Sequence, residues 1–350
     1  MQVRNLRSAF LEAVLELLWR QWTTLGVFGR KGYSGPGPID PEALIVATIW
    51  FGRYEPRLFD GTIEWWSVNG EWLSSTRIQK LQRDLPPLGR RVLAAVAETV
   101  LLQGKPAKWR RLTDATEEHE GSHPEHRESL FLLRDGMPLP QVGVPDPIFL
   151  RVGLLRPRFE TRSISERVPL DRPGNLRIRL RAFFGVSSRA EIALYLLTHA
   201  SCHPRLMARQ TYYAFASTSN TLRQMTRSGL VSEHRSGREV EYQIDGPGWR
   251  RFFGLPRSVP WINWVPVFRA LHEVWECFEN IGERTVTNSI VGSELRRCAR
   301  RANGMLRNSE LEFAFSGDEA LGSEEYATVF AKDIKKLFKA LDGELHASQV

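Results

Sequence analysis

The apolar side chains along most of this chain recur every three or four positions, which is the spacing of amphipathic helices. Asp40 followed by Pro41 is typical of a helix start, with an N-cap carboxylate and proline at the first helical position. The glycine- and proline-rich stretch 29–38 predicts a loop. Up to residue 105 the pattern predicts helices at Leu6–Leu25, Asp40–Gly52, Pro56–Val68, Ser74–Gln82 and Pro86–Leu102.

The next segment, 106–173, is more polar and is interrupted by prolines, so it predicts a linker with little core of its own. Leu130–Leu133 is its one candidate strand. Asp135-Gly136 then predicts a turn, which indicates a small hairpin packed on a neighbour.

Helical spacing returns from residue 174 onward. Leu176–Phe184 is predicted to be a helix whose outer face carries Arg177 and Arg181. Further helices are predicted at Trp249–Phe253, Asn263–Ile281, Ser293–Leu306 and Tyr326–Leu341.

The segment 187–245 has a more specific pattern. It begins with a helix whose apolar stripe includes Ala190, Ile192 and Leu196, and a shorter helix starts at Pro204. A third helix follows, for which Ser217, Thr218 and Ser219 are the candidate N-caps. Gly229 is placed to end that helix in the left-handed conformation. Two strands around the turn 236–238 then predict a hairpin.

The third helix separates its side chains into two faces. Leu222 and Met225 are predicted to point into the core, with Leu230 and Val231 continuing that core just beyond the helix. The opposite face carries polar side chains suited to external contacts: Ser219, Asn220, Arg223, Gln224 and Arg227.

The run TLRQMTRSGLV at Thr221–Val231, followed by Arg238 and the strand Glu239–Ile244, resembles the winged helix-turn-helix domain of MarR-like and ArsR-like bacterial regulators. The turn between the second and third helices departs from that pattern, because Tyr212, Tyr213 and Phe215 make it bulkier than usual. The resemblance covers residues 187–245 and leaves the rest of the chain unassigned. Together with the helical patterns elsewhere it predicts a mainly α fold in four parts: a helical domain 1–105, a linker 106–173, a winged-helix domain 174–255 and a helical region 256–350.

The resemblance further implies a DNA-binding site on the third helix, which would enter the major groove. Asn220 and Gln224 suit adenine edges, and Arg223 and Arg227 suit guanine edges. The other implied contacts are with phosphates, from Thr218 and Ser219 at the helix N-terminus and from Arg235 and Arg238 on the wing. The alternative is a winged helix that contacts only proteins and whose polar face is simply solvated.

The charge of the chain favours an anionic partner. The formal net charge is +8 and the pI is about 9.6. Between Asn175 and Thr211 the only acid is Glu191, against six arginines. No lysine occurs between Lys108 and Lys332, so arginine supplies all the basic charge there. Arginine suits bidentate phosphate and guanine contacts, but a GC-rich genome is an alternative explanation for the bias.

The sequence predicts a reduced, cytoplasmic protein. Glu12 and Glu16 interrupt the first apolar run, so it is not a secretory signal, and no stretch is long and apolar enough to span a bilayer. The cysteines Cys202, Cys277 and Cys298 form no Cys-x-x-Cys pair, so neither a disulfide framework nor a zinc ribbon is indicated.

Enzymatic chemistry and cofactors are not predicted. The sequence has no P-loop, dinucleotide fingerprint, nucleophile elbow or zinc-protease helix. His119, His123 and His126 lie among glutamates and could hold a divalent metal, but Gly121 and Pro124 favour a solvated acidic loop instead. The pair Cys202-His203 is typical of a capping turn rather than of a nucleophile and its base.

Two further clusters have alternative interpretations. The aromatic group Trp50, Phe51, Trp65, Trp66 and Trp72 is either a ligand pocket or, as large aromatic side chains more often are, part of a helical core. The arginine run 296–301 either contacts phosphates or forms a solvated face.

The resemblance, supported by the charge of the chain, implies a transcription regulator that binds double-stranded DNA as a homodimer, with the C-terminal helices as its dimer interface. The main alternative is an antitoxin, or another partner-binding protein, whose N-terminal helical domain binds a protein while the winged helix represses its own operon. A small-molecule sensor that uses the tryptophan cluster is a third possibility.

Overall fold

The computed structural model describes residues 3–29, 31–104, 107–113, 127–237, 239–282, 288–318 and 320–343. It is mainly helical with two small two-stranded sheets, which confirms the predicted mainly α class. The helices are α1 (Val3–Leu25), α2 (Pro41–Phe51), α3 (Pro56–Asn69), α4 (Ser75–Leu81), α5 (Pro87–Leu102), α6 (Pro147–Arg151), α7 (Leu176–Phe184), α8 (Ser188–Thr198), α9 (Pro204–Thr211), α10 (Phe215–Arg227), α11 (Gly246–Phe252), α12 (Trp264–Gly282), α13 (Asn288–Leu306) and α14 (Ser323–Asp342).

Polar caps define several of the predicted helix starts. The Asp40 carboxylate accepts a hydrogen bond from the backbone N–H of Ala43 at 3.2 Å, and Pro41 begins α2. Ser74 caps α4 in the same way, accepting from the backbone N–H of Arg77. These local signals confirm the predicted starts of α2 and α4.

The strand of the 106–173 segment lies earlier than predicted. Glu128–Ser129 (β1) pairs in parallel with Leu154–Leu155 (β2). Leu130–Leu133 forms only an isolated antiparallel bridge, from Leu132 to Pro138, across the predicted turn. The predicted turn at Asp135-Gly136 is present, since the Gly136 N–H donates to the carbonyl of Leu133 at 2.9 Å. This segment contributes buried side chains to a neighbouring core rather than forming one of its own.

The buried apolar residues form two clusters. The larger one contains side chains of α1 to α6 together with α12 to α14, so the two ends of the chain share one core, here called the helical body. The smaller one is built mainly from α7 to α10 and the second sheet. The boundaries of the four predicted segments stay a prediction.

The aromatic cluster belongs to the core of the helical body. Phe51, Trp65 and Trp66 are fully buried, while Trp50 and Trp72 are half-buried at its margin. Trp65 packs edge-to-face on Trp22 with ring centroids 5.1 Å apart. This arrangement favours the packing interpretation over a ligand pocket.

No helix in the described part of the chain combines the length and the hydrophobicity needed to cross a bilayer. The cytoplasmic location stays a prediction.

Candidate nucleic-acid interface

The helices α8, α9 and α10 are followed directly by the antiparallel hairpin β3 (Val231–Ser236) and β4 (Glu239–Ile244). These elements, with α7 and α11, are here called the hairpin unit. Its core includes Leu196, Met207, Leu222, Met225 and Val231, each at most 2% exposed. Because Leu222 and Met225 anchor one side of α10, the opposite side of that helix faces outward.

The start of α10 differs from the prediction. The helix begins at Phe215, and Ala214 occupies the N-cap position with no side-chain hydrogen bond. Thr218 is therefore already inside the helix and is fully buried, and its hydroxyl donates to the carbonyl of Ala214 at 3.1 Å. Predicting Thr218 as a helix cap and phosphate contact was wrong for this reason. Ser219 also lies inside the helix and is half-buried.

The four residues predicted to contact base edges share one exposed face of α10: Asn220, Arg223, Gln224 and Arg227. Three of them make side-chain hydrogen bonds with neighbours. The Arg223 guanidinium donates to the side-chain carbonyl of Asn220, and Arg189 of α8 donates to Oε1 of Gln224 at 2.8 Å. The face thus presents amide and guanidinium groups, which are the groups that recognise base edges and phosphates.

The hairpin carries charges of both signs. Arg235 is exposed and donates through Nε to Glu233 at 2.6 Å, and the Tyr242 hydroxyl donates to the same carboxylate at 3.0 Å. These two hydrogen bonds, with that of Arg235 the stronger, lower the pKa of Glu233. Gly237 turns the hairpin with a φ of +62°. Arg238, the remaining predicted site residue, lies outside the described residues.

The three helices α8, α9 and α10 present arginine as their only exposed charged residue: Arg189, Arg205, Arg209, Arg223 and Arg227. Their one acid, Glu191, is 1% exposed. The Arg205 guanidinium lies over the exposed ring of Phe215, 5.9 Å from its centroid. A helical surface with five cations and no exposed anion attracts a polyanion.

Glu191 is withdrawn into a buried charge cluster that joins the hairpin unit to the helical body. The cluster has three arginines and three carboxylates, all at most 2% exposed: Asp40, Glu42, Arg77, Arg177, Arg181 and Glu191. The prediction that Arg177 and Arg181 lie on an outer face was wrong. Both point inward, because α7 is covered by α8 on one side and by the helical body on the other.

Arg181 bridges two carboxylates of the cluster. Its Nη1 and Nη2 donate to the two oxygens of Glu42 at 2.7 and 3.0 Å. Its Nε and Nη2 donate to Oε1 of Glu191 at 3.0 and 2.6 Å. Since Glu42 belongs to α2 and Glu191 to α8, this one guanidinium ties the two parts of the molecule together.

Arg77 and Arg177 complete the cluster from opposite sides. Arg77 donates to Asp40 and to Glu42, in each case at 2.7 Å, and its Nε donates to the carbonyl of Thr211 at the end of α9. Arg177 pairs with Glu191 and has its Nη2 3.5 Å from Asp40. Bidentate pairing of this kind offsets the cost of burying the charges.

The lowered pKa values of Asp40 and Glu191 indicate that these two carboxylates are ionised. Burial acts to raise the pKa of Asp40, but Arg177 and Arg77 outweigh it and hold that pKa well below its usual range. Burial likewise opposes ionisation of Glu191, yet Arg177 and Arg181 lower its pKa. The arginines of the cluster therefore favour the charged forms of Asp40 and Glu191 inside the protein.

The bulky turn between α9 and α10 is a second contact with the helical body. Tyr212 ends α9 in the left-handed conformation with a φ of +61°, and the guanidinium of Arg77 lies 5.9 Å from its ring centroid. The Tyr213 hydroxyl donates to Oγ of Ser74 at 3.3 Å. The unusual aromatic residues of this turn thus pack the hairpin unit against α4.

The other candidate clusters give no comparable site. Arg296 donates to the carbonyl of Leu321, and Arg297 and Arg301 pair with Glu294 and Glu273, so these three side chains are held by their own chain. The histidine-rich segment 114–126 lies outside the described residues. Within the described ones, no group of three or more His, Cys, Asp or Glu side chains could hold a metal ion.

No protein-family model, curated protein or solved structure matches this chain.

Proposed function

We propose that residues 187–245 form a winged helix-turn-helix module that binds double-stranded DNA, and that the protein regulates transcription. The observation that carries this proposal is the face of α10 on which Asn220, Arg223, Gln224 and Arg227 are exposed together, within a helical surface that has no exposed acid. The order of elements, three helices and then a two-stranded hairpin, supports it.

Each side chain has a role in the proposed complex. Asn220 and Gln224 would read adenine edges in the major groove, and Arg223 and Arg227 would contact guanine edges or the adjacent phosphates. Ser219 and Arg235 would contact the flanking backbone. Thr218 is no longer included, because its hydroxyl is buried.

The proposal includes a homodimer acting in the cytoplasm, since two copies would place two α10 helices in successive major grooves, roughly 34 Å apart. The C-terminal helices α12 to α14 have their apolar faces in the core of the helical body. A dimer interface on these helices would accordingly use their polar faces.

Binding is tested with a salt titration of the purified protein against a fluorescent duplex from upstream of its own gene, with a scrambled duplex as the control. We expect the specific duplex to bind more tightly, and both affinities to fall steeply with salt, because each neutralised phosphate releases a counterion. Arg223→Ala/Arg227→Ala should weaken specific binding by roughly ten- to a hundredfold and lower the salt slope.

The matched control is Arg90→Ala/Arg307→Ala, which removes two exposed arginines outside the hairpin unit and should leave affinity unchanged. Unchanged binding in the Arg223→Ala/Arg227→Ala variant would overturn the assignment of α10. Weak binding that is equal for both duplexes would contradict the regulator proposal and favour a partner-binding protein acting through its helical body.

A further inference from the structure

A second surface of the hairpin unit has an unusual composition for an exposed region. Phe183 and Phe252 are 54% and 65% exposed, and they lie beside the half-buried rings of Phe184 and Trp249. These four residues are here called the aromatic patch. Contiguous exposed apolar surface of this kind marks sites of interaction.

The rings of the aromatic patch support one another. The Phe183 centroid lies 4.8 Å from that of Phe184 and 5.7 Å from that of Phe252, in both cases edge-to-face. Beneath them Phe253 is 4% exposed and stacks on Trp249. The patch is thus a rigid apolar surface held by a buried ring, and ordering it on binding costs little side-chain entropy.

Arginines border the aromatic patch. Arg179 donates to the carbonyl of Phe253 and has its guanidinium 5.4 Å from that ring, and Arg251 is exposed on α11 beside Phe252. The sequence has no acidic residue in 172–190 or in 246–272, which contain the patch. The complementary surface is therefore apolar with negative charges around it.

This charge pattern decides between occupants. A second copy docked face to face through the same patch would bring arginine against arginine without carboxylates to pair with them. Successive nucleic-acid bases stack on ring faces that lie parallel to one another. The planes of Phe183 and Phe252 are inclined by 69° to each other, and that of Phe252 by 86° to Phe253, so these rings form no common stacking platform. A protein segment with large apolar side chains and carboxylates fits both features.

We propose that the aromatic patch is a docking site for an acidic amphipathic segment of a partner protein. Its apolar side chains would lie among Phe183, Phe184, Trp249 and Phe252, and its carboxylates would face Arg179 and Arg251. This proposal does not depend on DNA binding, because none of these residues belongs to the exposed face of α10.

The test is a selection of random displayed peptides on the full-length protein, with removal of peptides that also bind the Phe183→Ser/Phe252→Ser variant. We expect the surviving peptides to be rich in Asp and Glu combined with Leu, Phe or Trp. A selected peptide, labelled for fluorescence anisotropy, should bind the Phe183→Ser/Phe252→Ser protein at least roughly tenfold more weakly. Arg251→Glu, which leaves every ring in place, should weaken binding several-fold.

The control is Phe28→Ser, which changes a ring that is 50% exposed on the helical body and should leave peptide binding intact. Survivors without acidic residues, or no survivors, would overturn the proposal. The proposal would also be overturned if the protein sediments as a dimer and the Phe183→Ser/Phe252→Ser variant does not, because the occupant would then be a second copy. Oligothymidine binding that is lost in the same variant would show that the occupant is a nucleic acid. Duplex binding by the same variant reports separately on the proposed function.

Discussion

α7 and α10 belong to the same hairpin unit, and each carries two arginines four residues apart, yet the structure uses the two pairs in opposite ways. Arg177 and Arg181 of α7 are 2% and 1% exposed and are paired with carboxylates. Arg223 and Arg227 of α10 are exposed, and no carboxylate is paired with them in the described part of the chain. With the same spacing, the arginines of α7 belong to the buried charge cluster, here called the clamp, whereas those of α10 lie on a candidate binding surface.

The difference arises from where the carboxylates lie. Glu42 and Asp40 reach α7 from the helical body, and Glu191 reaches it from α8. Because Glu191 is buried in this cluster, the exposed charged residues of α8, α9 and α10 are all positive. The clamp on α7 thus joins the hairpin unit to the helical body and leaves arginine as the only exposed charged residue of α8, α9 and α10.

Breaking the clamp should have the largest effect on stability. Glu42→Gln keeps the size of the side chain but removes the carboxylate that pairs with Arg77 and Arg181. The two guanidinium groups would then stay buried with one partner fewer. We expect the free energy of unfolding to fall by about 3–5 kcal/mol, as measured by urea denaturation. Glu71→Gln, at an exposed acid of the helical body, is the control and should change it by less than about 0.5 kcal/mol. A small effect of Glu42→Gln would mean that the clamp does not stabilise the fold.

Acid should weaken the same clamp more gradually. The pKa values of Asp40 and Glu191 are lowered in the folded protein, so their contribution is complete above the unfolded carboxyl range, near pH 4, and is lost as the pH falls below it. Each group contributes up to about 1.4 kcal/mol per pH unit there. Burial raises the pKa of Asp60 and of Glu276 and acts in the opposite direction.

Urea denaturation at a series of pH values checks this sign. We expect the free energy of unfolding to decrease steadily from about pH 5 to about pH 3. Glu71→Gln provides the reference, because it alters an exposed acid and should follow the same curve. A flat or rising curve would show that the raised carboxyls, rather than the clamp, dominate the acid response.

The same comparison shows what could be predicted from the sequence. Signals that act within a few residues were reliable, as at the Asp40-Pro41 helix start and at Gly229, whose φ is +74°. The inward direction of Arg177 and Arg181 was missed because Asp40 and Glu42, their partners in the helical body, lie more than a hundred residues earlier in the chain. No periodicity within α7 contains that information.

The start of α10 was missed because two local signals for a helix start compete in this segment. Ser217, Thr218 and Ser219 are good N-caps, but the left-handed Tyr212 and the extended Ala214 already turn the chain into the helix. The exposure of Asn220, Arg223, Gln224 and Arg227 could be predicted all the same, because Leu222 and Met225 fix the buried side whichever residue begins the helix. Their contact with DNA stays a prediction.

The smallest expected effect sharpens the comparison within α10 itself. Gln224→Ala removes an amide that Arg189 holds in place, and unfolding should change by less than about 0.5 kcal/mol because the site is exposed. If Gln224 reads an adenine, the variant should lose about 1–3 kcal/mol of discrimination at one base pair and keep its salt slope. If Arg227 contacts a phosphate, Arg227→Ala should instead weaken binding to all duplexes and lower the slope by about one. Competition with singly substituted duplexes distinguishes base reading from phosphate contact. If Gln224→Ala lost the same affinity for every duplex, this side chain would read no base.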